Sequence, residues 1–140
     1  MEKLQLKRCD WNIYKHQLKP TIEQVGIKGN SPNIYKIIDE ACSNEWAFLF
    51  LSPDGFVVLR PRHSDFTYLE LLFAYNKSTN SLSTYTPTLV SIAQSIHAEY
   101  LEFITFRKGM SRVAVRENWS MCGIIDNSTI WRYYLRKNNE

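Results

Sequence analysis

Residues 67–75 (TYLELLFAY), 76–85 (NKSTNSLSTY) and 86–98 (TPTLVSIAQSIHA) decide how the rest of the chain is arranged. The first segment is apolar and aromatic apart from its end and Glu70, a composition that suits a strand. The second is polar and reads as a loop. The third opens with Thr86-Pro87. A threonine hydroxyl can accept a hydrogen bond from a free N–H of a first helical turn. Proline fits the first helical position, where its missing N–H is no loss. The spacing therefore predicts a helix over 86–98. A polar loop that delivers a helix N-terminus can hold an anion, because free N–H groups and the helix dipole point toward it. Residues 100–106 (YLEFITF) form the next strand, so the helix is a right-handed crossover between two parallel strands.

Working outward, residues 46–51 (WAFLFL) read as a strand covered on both faces, with Trp46, Phe48 and Phe50 in the core. Ser52-Pro53-Asp54-Gly55 is a turn, and residues 56–59 (FVVL) return as the second arm of a hairpin. Residues 60–65 (RPRHSD) are a polar connection. Upstream, Leu4 and Leu6 alternate with polar residues as a short strand, and Asp10 caps a helix bearing Trp11, Tyr14 and Leu18. Pro20 interrupts that helix or starts a second piece with Ile22 and Val25. Residues 26–30 form a loop broken by Gly26 and Gly29. Ser31-Pro32 opens a helix through Ile34, Ile37, Ile38 and Ala41. Downstream, residues 110–117 suit a short helix, and residues 120–125 and 129–135 form a second hairpin. The sum is a single α+β domain over residues 1–140, a mixed central sheet of about seven strands with helices on both faces.

With 140 residues, 44% hydrophobic and 22% charged, the composition is that of an ordinary globular domain. A net charge of +3 without a basic stripe gives no sign of specific nucleic-acid recognition. No apolar run is long enough for a membrane span, and the N-terminus lacks the apolar core of a signal peptide. Cys9, Cys42 and Cys122 are widely spaced and odd in number, which fits a reducing compartment and no metal knuckle.

This order of elements resembles the GCN5-related N-acetyltransferase (GNAT) fold over nearly the whole chain. The resemblance implies that the fourth strand and the helix after it cradle acetyl-CoA. Phe73, Ala74 and Tyr75 at the strand's end, and Ser83, Thr84 and Thr86 at the helix entry, are then the candidate cofactor contacts. Glu70 is the candidate general base, or else an edge carboxylate. Two positions depart from the family. Its diphosphate loop carries Arg/Gln-x-x-Gly-x-Gly/Ala, whereas residues 76–85 hold no glycine; Gly26, Gly29, Gly55, Gly109 and Gly123 all lie elsewhere. Many members also place a Tyr four residues before a Gly-Phe turn, as the acid that protonates the leaving thiolate. Asn118-Trp119 stands in that turn here, and Ala114 falls at the Tyr position.

In length and pattern the chain is also similar to short acetyltransferase-like proteins carried in the virion of podoviruses. That resemblance implies a non-catalytic phage structural or accessory protein, found in the host cytoplasm or with the virion. Its partner would be another protein or a second copy, with no membrane and no specific nucleic acid. No cofactor, acetyl-CoA included, is expected to bind tightly, and no metal. The alternative is an N-acetyltransferase that moves acetyl from acetyl-CoA to an amine. Hydroxyls of Ser78, Thr79, Ser81, Ser83 and Thr84 then meet phosphate, or else form a solvated loop. Arg60, Arg62 and His63 make a local basic cluster. Trp131, Tyr133 and Tyr134 on the last strand are expected to leave one face exposed for a partner.

Overall fold

The computed structural model describes residues 6–77, 81–106 and 109–135. In chain order the elements are β1 (Lys7–Cys9), α1 (Trp11–Lys28), α2 (Ile34–Ser43), β2 (Phe48–Ser52), β3 (Gly55–His63) and β4 (Thr67–Asn76). There follow α3 (Ser81–Ser95), β5 (Tyr100–Thr105), α4 (Met110–Arg116), β6 (Ser120–Ile125) and β7 (Ser128–Tyr134). The strands form one sheet in the order β1-β2-β3-β4-β5-β7-β6. Every pairing is antiparallel except β4 with β5, which the α3 crossover makes parallel.

The sheet has a core on each face. One joins Val57, Leu59, Leu69, Leu101 and Phe103 to Leu82, Tyr85 and Leu89 of α3 and to Ala114 of α4. The other joins Leu49, Phe56, Val58 and Phe73 to Trp11 and Ile22 of α1 and Ile38 of α2. Asp10 caps α1 as expected, its side chain accepting from Asn12 N–H at 3.0 Å.

Several boundaries differ from the sequence reading. Helix α1 runs through Pro20 and Gly26 without a break. Gly26 is where α1 and α2 come together: a Cβ there would collide with Ile34 and with the Ser31 carbonyl, so the residue acts by having no side chain. The turn comes later, at Gly29 and at Asn30 with φ 58°. Helix α2 starts at Ile34 behind Asn33, so Ser31-Pro32 lies in the turn before it. Strand β3 continues through Arg60, Pro61 and Arg62, expected as a connection, to pair with β4 as far as Thr67. Pro61 is tolerated because β2 stops pairing at Leu59, which leaves that side of β3 without a ladder. Trp46 precedes β2 and is 57% exposed, and Phe106 follows β5 and is 43% exposed, so neither is core. On β7, Trp131 is buried and Tyr134 is 55% exposed.

The largest correction is the start of α3. It begins at Ser81, so Thr86 and Pro87 lie inside it rather than at its entry. Leu82, Tyr85, Leu89 and Ala93 form one buried stripe at helical spacing. The first two members of that stripe lie in the stretch expected as loop. Their burial outweighs the missing Pro87 N–H.

Candidate functional site

Strands β4 and β5 pair only at Leu69↔Leu101 and Glu70↔Glu102. Beyond these, β4 stays with β3 as far as Asn76 and β5 stays with β7 as far as Thr105, so the two strands part. A bulge sits at the point of parting. Val58 pairs with Phe73 and Leu59 with Leu71, which leaves Leu72 as an extra residue in β4. Such an insertion bends a strand and reverses the side-chain alternation after it. Strict alternation would put Leu69, Leu71 and Phe73 on one face. With the bulge, Leu69 and Leu71 pack with the α3 core, and Phe73 crosses to the α1–α2 core.

The parted strands frame a cleft of about 590 Å³. Its walls are Leu71 to Asn76 on one side and Phe103 to Phe106 on the other. Leu82 and Met110 line it from the α3–α4 side of the sheet, and Val25, Lys28 and Ile34 line it from the α1–α2 side. The lining thus comes from both faces, and the cleft passes through the plane of the sheet. A volume in this range suits a small-molecule ligand.

The structure brings four of the seven sequence-predicted site residues to this cleft: Glu70, Phe73, Ala74 and Tyr75. Phe73 stacks on Phe56 at 5.4 Å, and the Tyr75 carbonyl accepts the Tyr85 hydroxyl at 2.9 Å. The Tyr85 proton is thereby used, so Ser52 Oγ is the donor in its 2.8 Å contact with Tyr85 Oη. Burial pushes the Tyr85 phenol up, opposed by the Ser52 hydrogen bond. Gly55 is obligatory at this junction, because a Cβ would meet both the Tyr75 carbonyl and the Tyr85 hydroxyl.

Glu70 stands where the strands part, with Oε1 2.8 Å from Arg60 Nε and 3.6 Å from an Arg62 terminal nitrogen. Its neighbour across the parallel pair is Glu102, held by Arg132 Nε at 2.9 Å. An Arg–Glu–Glu–Arg row therefore crosses β3, β4, β5 and β7 in register. Arg132 also lies 4.4 Å above the Tyr100 ring. Its guanidinium is held still more firmly protonated by its bond to Tyr134 and then by Glu102, against the effect of burial. Glu102 and Arg132 went unnoticed in the sequence. Their signal was alternation with apolar neighbours on strands 100–106 and 129–135.

The helix-entry residues are placed differently. Thr86 is buried within α3; its hydroxyl donates to the Leu82 carbonyl at 2.6 Å and accepts from Trp119 Nε1 at 3.2 Å. Ser83 and Thr84 lie in the first turns of α3. Ser83 Oγ donates to Glu117 Oε2 at 3.3 Å, and Arg116 bridges the two, 3.7 Å from the carboxylate and 3.5 Å from Ser83 Oγ. Glu117, also missed in the sequence, puts a carboxylate against the first turns of α3. Ser78 and Thr79 lie outside the described residues. Ala114 is fully buried, and Trp119 packs edge-on against Phe103 at 4.9 Å. His63 contacts Thr67 on the exposed end of β3. Among the described residues no cluster could hold a metal ion, and no helix is long and apolar enough to cross a membrane.

An acetyltransferase of the GNAT family from Desulfovibrio desulfuricans superposes with a TM-score of 0.72 at 11% identity, over 94% of this chain and 98% of that one. The fold is that of the GNAT acetyltransferases. FeeM, an N-acyl amino acid synthase from uncultured soil microbes, matches with a TM-score of 0.66 at 8% identity, over 96% and 92% of the two chains. The microcin C7 self-immunity acetyltransferase MccE, solved with acetyl-CoA and AMP, matches with a TM-score of 0.55 at 12% identity, over 96% and 94%. No family model and no curated protein matches the sequence. At these identities the likeness establishes the GNAT fold, an acetyltransferase-like domain, and leaves the chemistry to the site itself.

Proposed function

We propose that the cleft between β4 and β5 holds the acyl end of a thioester donor, and that the domain transfers the acyl group to an amine. The observation that carries this reading is the parting of β4 and β5 at the Leu72 bulge. It leaves a passage of mixed polar and apolar lining through the sheet, so a donor can enter from the α3–α4 side and an amine from the α1–α2 side. Keeping such a gap forfeits ladder hydrogen bonds and leaves Ile104 and Phe106 exposed, which a purely structural sheet has no reason to do. Among the similar folds, MccE was solved with acetyl-CoA, and FeeM is an N-acyl amino acid synthase. In this reading Glu70, which lines the cleft, takes a proton from the amine, and Phe73, Ala74 and Tyr75 form the donor wall.

A second reading, a non-catalytic interaction domain, is favoured by two observations. Ala114 stands buried at the position of the family's acid, and Glu70 is already engaged by two arginines. The matched structures described above are acetyltransferases and an acyl amino acid synthase, and none of them supports a virion role, which forms no part of the proposal. The test is thermal unfolding with acetyl-CoA and with acetylpantetheine, followed by acetyl transfer to a test amine. Stabilisation by either thioester, with turnover lost in Glu70→Gln while binding is retained, supports the transferase. Stabilisation without turnover supports the binding domain, and no effect of either compound contradicts the donor reading.

A further inference from the structure

We infer that the acceptor is an apolar amino acid, its carboxylate paired with Lys28 and its side chain seated on Val25, Ile34 and Ile104. The inference rests on the donor reading above and deepens it by naming the chemical class of the amine.

Side-chain alternation divides the cleft by face. Leu69, Leu71 and Phe103 pack with the α3 core, so Glu70 and Ile104, which neighbour them in their strands, project to the opposite, α1–α2 side. Val25, Lys28 and Ile34 line the cleft from that same side. An amine that reaches Glu70 from there has its other substituents among Val25, Lys28, Ile34 and Ile104. Three of these four are aliphatic, and Ile104 is half exposed, so the mouth offers apolar surface that a ligand can cover.

Charge decides the remaining substituent. Lys28 and Glu70 are the charged residues of the described lining. Glu70 is already matched by Arg60 at 2.8 Å and Arg62 at 3.6 Å, so it supplies no excess negative charge to draw a second cation. Lys28, in the last turn of α1, has no ion pair among the described residues. The uncompensated charge of the lining is therefore positive. A carboxylate on the acceptor compensates it, whereas a diamine sets a like charge beside it. An amine with a carboxylate and an aliphatic group on the carbon that bears it is an apolar amino acid.

The test is calorimetric titration of leucine, leucinamide, glycine and acetylpantetheine into the wild type, Lys28→Met and Lys28→Arg. Leucinamide has the shape of leucine without the carboxylate charge, and glycine keeps the carboxylate without the side chain. The midpoint of thermal unfolding reports whether each variant is folded. Leucine is expected to bind the wild type about fivefold more tightly than leucinamide, the worth of one ion pair at contact distance in water. It is expected to bind about tenfold more tightly than glycine, the worth of burying its side chain. Lys28→Met is expected to bring leucine to the affinity of leucinamide while leucinamide and acetylpantetheine are unchanged, and Lys28→Arg to keep the preference. Equal binding of leucine and leucinamide to the wild type overturns the inference and leaves the donor reading standing. So does a folded Lys28→Met that keeps the preference for leucine, or glycine binding as tightly as leucine. Failure of acetylpantetheine to bind the wild type overturns the donor reading, and the inference with it.

Discussion

Thr86 shows how one side chain can be assigned correctly by type and wrongly by place. Threonine before proline is a good helix cap, yet this hydroxyl is buried between Leu82 O and Trp119 Nε1. Capping and burial make opposite predictions for a charge. At an exposed cap, Thr86→Asp is neutral or stabilising. In the observed site it buries a carboxylate against a carbonyl, and it is expected to cost about 3–5 kcal/mol in denaturant unfolding. Phe103 is 6% exposed and packs edge-on to Trp119. Phe103→Ala should lose ~3–5 kcal/mol by the same measurement, and a loss below about 1 kcal/mol would contradict its placement. Cys42 predicts a pH dependence. Burial, and secondarily Asp39, push its thiol up to about 12 from its ordinary value near 9. The folded state therefore keeps a proton that the unfolded chain has lost. Its contribution to stability is complete below pH 9 and is lost as pH rises toward 12. Stability should fall between pH 9 and 10 by at most ~1.4 kcal/mol per unit, and Cys42→Ala should remove that part of the slope.

At the scale of elements, the parts that were legible in the sequence are those set by local chemistry. Asp10 caps α1, Ser52-Pro53-Asp54-Gly55 turns β2 into β3, and Asp126 and Asn127 turn β6 into β7 with positive φ at both. The crossover from β4 through α3 to β5 also follows from element order. What was not legible depends on tertiary packing. Pro20 and Gly26 look like helix breakers, but α1 continues because Trp11 and Ile22 are buried and Gly26 admits α2. The early start of α3 was available in the spacing of Leu82, Tyr85, Leu89 and Ala93, and the Thr86-Pro87 signal concealed it. The Leu72 bulge left no trace, since residues 71–74 are a continuous apolar run that suits either register. Tyr85 links these elements by joining α3 to β4 and to the β2–β3 turn. Tyr85→Phe deprives the Tyr75 carbonyl of its donor and should cost about 1–3 kcal/mol in urea unfolding.

For the whole molecule, the scaffold was legible in the sequence and the balance within the site was not. Four of the predicted site residues line one cleft, whereas Glu102, Arg132 and Glu117 became visible only when β5, β7 and α4 came beside β4 and α3. The scaffold is a sheet with a core on each face and a seam between β4 and β5. If that seam is a binding site for a thioester arm, filling it must abolish binding. Calorimetric titration of acetylpantetheine into the wild type and into Ile104→Trp tests this most directly. Ile104 lines the cleft and is 47% exposed, so an indole there fills the passage without entering either core. Saturable one-to-one binding to the wild type is expected, with a stabilisation of ~2.7 kcal/mol at a hundredfold excess over Kd. Binding is expected to be lost in the Ile104→Trp variant, which remains fully folded. No binding to the wild type, or equal affinity in the filled variant, would contradict it.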